Sequence, residues 1–209
     1  MNLALDLGVL LATFAVIFPA ELPDKSFIAT LVLATRYPRL WVWLGATLAF
    51  GIQMVIAVAA GQVLSLLPRA LVLGVTAVLF VVGAVLLVRG GLRAKADEAA
   101  DEAEEEAAIA ARATPARSGM AAFATTFVVI FTAEWGDLTQ LIAAGQAART
   151  DSPLSVFLGA WGALTAVAGV GVLTGAWLQR HVPLWRVRLI SGALLAVLAA
   201  ITVYELVRG

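Results

Sequence analysis

The sequence predicts an all-α integral membrane protein: six transmembrane helices arranged as two inverted three-helix repeats. Three observations carry this. Of the 209 residues 62% are hydrophobic and 13% charged, against about a quarter charged in a soluble domain. The mean hydropathy is +0.96. The apolar runs are also long enough to span: about 20 apolar residues cross a hydrocarbon core of about 30 Å. Finally, the two halves of the chain resemble each other.

Apolar segments fall at 3–35, 40–67, 70–88, 119–148, 153–179 and 184–207. The first ends its greasy stretch in "FPA", as a secretory signal does, but "MNLALD" lacks the Lys or Arg of such a signal. It is therefore read as a retained span. Between the third and fourth segments, "RAKADEAADEAEEEAAIAARATPARSG" (93–119) holds seven of the fourteen acidic residues. Its Ala and Glu content predicts a solvated helix serving as a linker. The expected organisation is a first repeat at 1–90, an acidic linker at 91–118 and a second repeat at 119–209. Ten-residue alternating β-barrel segments are absent. The chain has no cysteine, which excludes disulfides and thiolate metal sites, and its zero net charge makes no case for nucleic acid.

"TFAVIFPAELPDKS" (13–26) aligns with "TFVVIFTAEWGDLT" (126–139) at a constant offset of 113. Gly45 and Gly61 then match Gly159 and Gly175 at 114, and Pro68 matches Pro183 at 115. A unit of three spans, duplicated, enters the membrane upside down the second time, an architecture of secondary transporters. Loop charges orient it. Arg36, Arg39, Arg89, Arg93, Lys95, Arg112, Arg117, Arg180, Arg186 and Arg188 fall on one side, and Arg69, Arg149 and Arg208 on the other. The positive-inside rule makes the linker cytoplasmic and puts both termini outside, in the cell (inner) membrane. His181 falls in a cytoplasmic turn and is read as solvated.

Each repeat carries Glu-x-x-Asp followed by a hydroxyl: Glu21, Asp24 and Ser26, then Glu134, Asp137 and Thr139. Positions i and i+3 share a helix face. An ionised carboxylate at the bilayer centre costs roughly 2.5–3.5 kcal/mol, so four facing lipid would cost on the order of 10 kcal/mol. That rivals the whole stability of a typical fold, roughly 5–15 kcal/mol. The four acids must therefore face inward, be partly protonated or neutralise a cation, and Lys25 offsets only one of the four charges. Carboxylates, hydroxyls and carbonyls are ligands for hard divalent ions such as Ca²⁺ and Mn²⁺. Without a metal the carboxylates repel one another and take up protons, so metal and H⁺ compete for the same oxygens.

Pro19 and Pro23 each remove a helical hydrogen bond, and Gly136 stands where repeat one has Pro23, so both motif helices are expected to break there. Gln140, three residues after Asp137, extends the carboxylate face as an additional ligand. Gln53, Gln62, Gln146 and Thr47 are read as interhelical hydrogen-bonding groups, Met54 as packing, and "GALTAVAGVGVLTG" (162–175) as close helix contact.

The twin "AELPDKS" and "AEWGDLT", in opposed halves around a charged loop, resemble the Gdt family of cation/proton exchangers, the Golgi manganese/calcium transporters and bacterial manganese exporters. That family's pattern is Glu-x-Gly-Asp-Lys/Arg-Ser/Thr, once per half. The resemblance implies exchange of Mn²⁺, or next Ca²⁺, against protons, with no permanently bound cofactor. The motif acids would carry metal and protons, the hydroxyls and Gln140 would complete coordination, and Lys25 would tune or gate the charge. The chain departs from the pattern at Pro23, Phe27 and Leu138, the last replacing a basic residue. Two other readings use the same residues. One is an organic-cation or amino-acid exporter; the other is an intramembrane aspartyl hydrolase with Asp24 and Asp137 as a dyad. The sequence leaves open whether the protein forms a homodimer.

Overall fold

The computed structural model describes residues 5–22, 25–112, 119–181 and 184–208. Among these are eight α-helices and no strand: α1 (Leu7–Glu21), α2 (Lys25–Arg36), α3 (Arg39–Leu64), α4 (Arg69–Arg112), α5 (Gly119–Ala133), α6 (Leu138–Arg149), α7 (Pro153–His181) and α8 (Leu184–Arg208). The helices follow the apolar segments. Where the sequence expects a broken motif helix, the structure has a bent pair: α1 and α2 meet at 66°, α5 and α6 at 73°.

By length and composition, α3, residues 70–90 of α4 and residues 153–174 of α7 can each cross a membrane, and each bent pair qualifies as one broken span. The described residues thus contain three to five candidate spans. The 25-residue α8 packs along α4. The outer surface suits lipid. Leu48, Ile52, Val55 and Ile56 of α3 and Val78, Val81, Val82 and Val85 of α4 are exposed, an apolar band that a water-soluble monomer rarely shows. Inside, Phe27, Phe50, Met54, Phe80, Ile130 and Leu164 form one buried core.

The halves share their order of elements. α1 and α5 each have 15 residues, and α2 and α6 each have 12. Phe14 stacks on Phe18 with ring centroids 5.4 Å apart, and Phe127 stacks on Phe131 at 5.5 Å. The packing is reciprocal. α3 crosses α5 at Gly45, where a Cβ would stand 2.6 Å from the Phe123 carbonyl and 3.0 Å from Thr126. α7 crosses α1 at Gly159, where a Cβ would stand 2.5 Å from the Leu10 carbonyl and 3.0 Å from Thr13. Every residue in the second contact is the repeat mate of one in the first. Small residues let backbones approach closely where lipid offers no hydrophobic drive between helices.

The acidic stretch is the continuation of α4, which runs unbroken across the expected 90/91 boundary to Arg112. At 44 residues α4 is far longer than the about 20 residues that crossing a bilayer requires. Its far end returns to the body of the protein: Ile109 is buried in the core cluster, and Arg36 donates to the Ala110 carbonyl at 3.0 Å. Residues 113–118 lie outside the described residues.

Candidate ion site

Each break divides its bent pair into two half-helices of similar length. A 15-residue half-helix is about 22 Å long and a 12-residue one about 18 Å. At each break one half-helix ends on free carbonyls and the next begins with free N–H groups. The partial negative charge of the α1 and α5 C-termini favours a cation there.

Glu21 is the last residue of α1 and is 1% exposed. Its two oxygens are claimed by hydroxyls from different repeats. Ser26, in the first turn of α2, donates to Oε2 at 2.7 Å, and Thr139, in the first turn of α6, donates to Oε1. Ser26 and Thr139 are themselves buried and are repeat mates. One carboxylate thereby joins the two motifs through residues 118 apart in sequence.

The second break is held differently. Glu134, 2% exposed, follows α5, and its N–H donates to the Ile130 carbonyl at 3.0 Å. Gly136 takes φ +76°, a left-handed conformation that glycine adopts without steric cost. Asp137 caps α6, accepting from the Gln140 N–H at 2.9 Å. The Gln140 side chain closes the turn: its amide nitrogen donates to the Glu134 carbonyl at 2.5 Å, and its oxygen accepts from the Gly136 N–H at 3.2 Å. Gln140 thus braces the backbone between the two acids. Its repeat mate is Phe27, fully buried in the core, an apolar side chain with no amide to offer. Buried Gln53 of α3 donates to the Phe131 carbonyl at 3.1 Å, serving the end of α5, and Gln62 likewise reaches the Ala147 carbonyl across helices at 2.7 Å.

Other predicted positions are placed as follows. Pro19 lies inside α1, which runs on to Glu21, so the first break comes after Pro19 rather than at it. Pro23 and Asp24 lie outside the described residues. Lys25 opens α2. Leu138, where the family pattern has a cation, packs into the core against Gly83 of α4. Among the described residues no group of three or more His, Cys, Asp or Glu side chains converges. The structure therefore joins Glu21, Ser26 and Thr139 directly, and gathers Glu134, Asp137 and Gln140 around the second turn.

Sequence reasoning missed that Gln140 braces the turn; its only signal was a polar residue one turn from Asp137. Gln53, read as an interhelical hydrogen-bonding group, is one, and the carbonyl it serves lies near the end of α5.

Acids and hydroxyls at two mid-span helix breaks, in a bundle with a lipid-facing surface, define an ion-coupled membrane transporter. Comparison with known proteins gives the family. The family model described as "Divalent cation/proton antiporter GDT1" matches residues 9–95 and 122–209, leaving out the linker. A GDT1-like protein, sll0615, of Synechocystis is 30% identical over 97% of both chains. The chloroplastic protein PAM71 of Arabidopsis thaliana is 33% identical over 97% of this chain and 59% of its own. A GDT1-like protein of Schizosaccharomyces pombe is 26% identical over 94% and 82%. No solved structure matches the chain. The chain belongs to the GDT1 family of divalent cation/proton antiporters, a family of transporters and not of enzymes.

Proposed function

We infer that this chain exports a divalent cation from the cytoplasm in exchange for protons, Mn²⁺ first and Ca²⁺ next, by alternating access. Its six spans would be the two broken pairs, α3, the first part of α4, α7 and α8, in two inverted repeats. The reading places the protein in the cell membrane, with the extension of α4 cytoplasmic and both termini outside. The observation that carries it is Glu21, a buried carboxylate accepting hydroxyls from both motifs.

The donor set is oxygen only, which suits hard ions. Glu21, Asp24, Glu134 and Asp137 bind either the metal or protons. Loading one expels the other, because four like charges in a low-dielectric site require compensation. Ser26 and Thr139 supply neutral oxygens. Gln140 joins this set through the turn it braces, which fixes the spacing of Glu134 and Asp137. Lys25 offsets one negative charge. With Leu138 in place of a second cation, the site keeps more net negative charge when empty.

The test is metal-driven proton flux in proteoliposomes, across Mn²⁺, Ca²⁺, Mg²⁺ and Cd²⁺. Asp24→Asn and Asp137→Asn each abolish flux while the protein remains folded. Full activity in both variants would sink the reading. Flux of organic cations or amino acids with no saturable metal binding by calorimetry would favour the exporter alternative.

A further inference from the structure

Each broken span ends on an arginine. Arg36 closes α2 and Arg149 closes α6, at the same 113-residue offset as the motifs. In the inverted arrangement inferred above, on which this inference rests, the two lie at opposite faces of the membrane. Their surroundings differ sharply.

The Arg149 side chain is 12% exposed and bound on several sides. One guanidinium nitrogen is 2.8 Å from Glu205 of α8, and the other donates to Thr202 of α8 at 2.6 Å. The guanidinium carbon lies 5.9 Å from the centre of the Phe80 ring of α4. Arg149 therefore ties the end of the half-helix that starts with Asp137 and Thr139 to both α4 and α8. Arg36 is exposed and donates to the backbone carbonyl of Ala110.

Two polar cavities, about 450 and 390 Å³, meet at Arg149. Gln62, Ser65 and Asp151 line the first; Glu205 lines the second. Beyond Arg149 the packing closes: Thr76 of α4 is buried against Gly145 of α6, one turn nearer the candidate site.

We propose that Arg149, with Glu205 and Thr202, is the latch that shuts one face of the transporter in this conformation. A paired, hydrogen-bonded arginine in a low-dielectric setting holds well, since removing one partner leaves a buried charge uncompensated. The latch is still releasable. The Arg149 Nε is buried without a hydrogen-bond partner among the described residues, and Glu205 is 39% exposed, so water can replace the carboxylate. Exposing Thr76 requires α6 to part from α4, and the Arg149 contacts to Glu205 and Thr202 of α8 and to the Phe80 ring of α4 hold the end of α6 in place.

The chain has no cysteine, which makes the test direct. Thr76→Cys, in the full-length protein, is labelled with a membrane-impermeant maleimide from the face where α6 ends, without transported metal. Adding Glu205→Gln or Arg149→Gln raises the labelling rate at least about tenfold, and the charge swap Arg149→Glu with Glu205→Arg returns it toward the parent rate. Thr202→Val, which spares the ion pair, gives a smaller rise and serves if the charge variants do not fold. Labelling within about twofold of the parent in all folded variants would overturn the proposal. Because labelling does not depend on transport, the two readings fail separately. A responsive Thr76→Cys with no metal/proton exchange in the parent leaves the latch standing and removes the proposed function.

Discussion

Thr139→Val deletes a hydroxyl and keeps the shape of the side chain. Thr139 is buried, and its hydroxyl donates to Glu21 across the boundary between repeats. Leaving a buried acceptor without its donor costs about 1–3 kcal/mol. For a chain of this length 1 kcal/mol corresponds to roughly 2–4 °C in Tm. Thr139→Val should therefore lower the melting temperature in detergent by roughly 2–12 °C, while Thr139→Ser, which keeps the donor, stays near the parent. Ser26→Ala removes the other donor to the same carboxylate, so the double variant should deviate from additivity by at least about 0.5 kcal/mol. Flux should fall with stability, because the same oxygens are inferred to face the ion. A Thr139→Val protein as stable as Thr139→Ser would refute the cross-repeat bond and remove the main support for a shared site.

Gly45→Ala and Gly159→Ala should each destabilise by about 1–3 kcal/mol through overpacking, because each Cβ meets a partner-helix carbonyl. Gly74→Ala, with nothing within 4 Å of its Cβ, should instead be neutral or stabilising by up to about 1 kcal/mol; thermal unfolding reads all three. At Gly136 a Cβ also meets nothing within 4 Å, so the cost of Gly136→Val is backbone strain alone, about 1–2 kcal/mol. Gly136→Asn should lose less, and equal losses in the two would argue against the left-handed turn.

Much of this was legible in the sequence because the membrane imposes simple rules. Apolar runs had to become helices, since hydrocarbon offers backbone groups no other partner. The charged stretch after 90 was helical as its Ala and Glu content implied. Composition did not reveal that this stretch extends α4, or that Ile109 returns to the core, because those contacts join positions far apart in the chain. The twin acids and the 113-residue offset located the two helix breaks. Pro19 was the less exact guide, for a helix can carry one proline and close a turn later.

Side-chain partnerships were not legible. Gln140 looked like one more ligand on the face of Asp137. In the folded chain the glycine turn presents Glu134 O and Gly136 N–H to its amide, and that geometry follows from φ at Gly136 rather than from spacing. Leu138 read as a missing cation; folded, it fills space against Gly83. Arg149 read as a loop charge used only to orient the protein, yet the approach of α8 makes it an interhelical tie.

By itself the sequence determined the membrane class, the repeat and which acids lie in apolar spans. Each of these follows from local hydrophobicity or from self-similarity along the chain. Only the tertiary structure decided that one carboxylate, Glu21, serves hydroxyls of both repeats and that α6 ends in an ion pair to α8 while α2 ends on a backbone carbonyl of α4. Those facts depend on how helices from opposite halves cross, which is set by close packing at Gly45 and Gly159 and leaves no periodic trace in the order of residues.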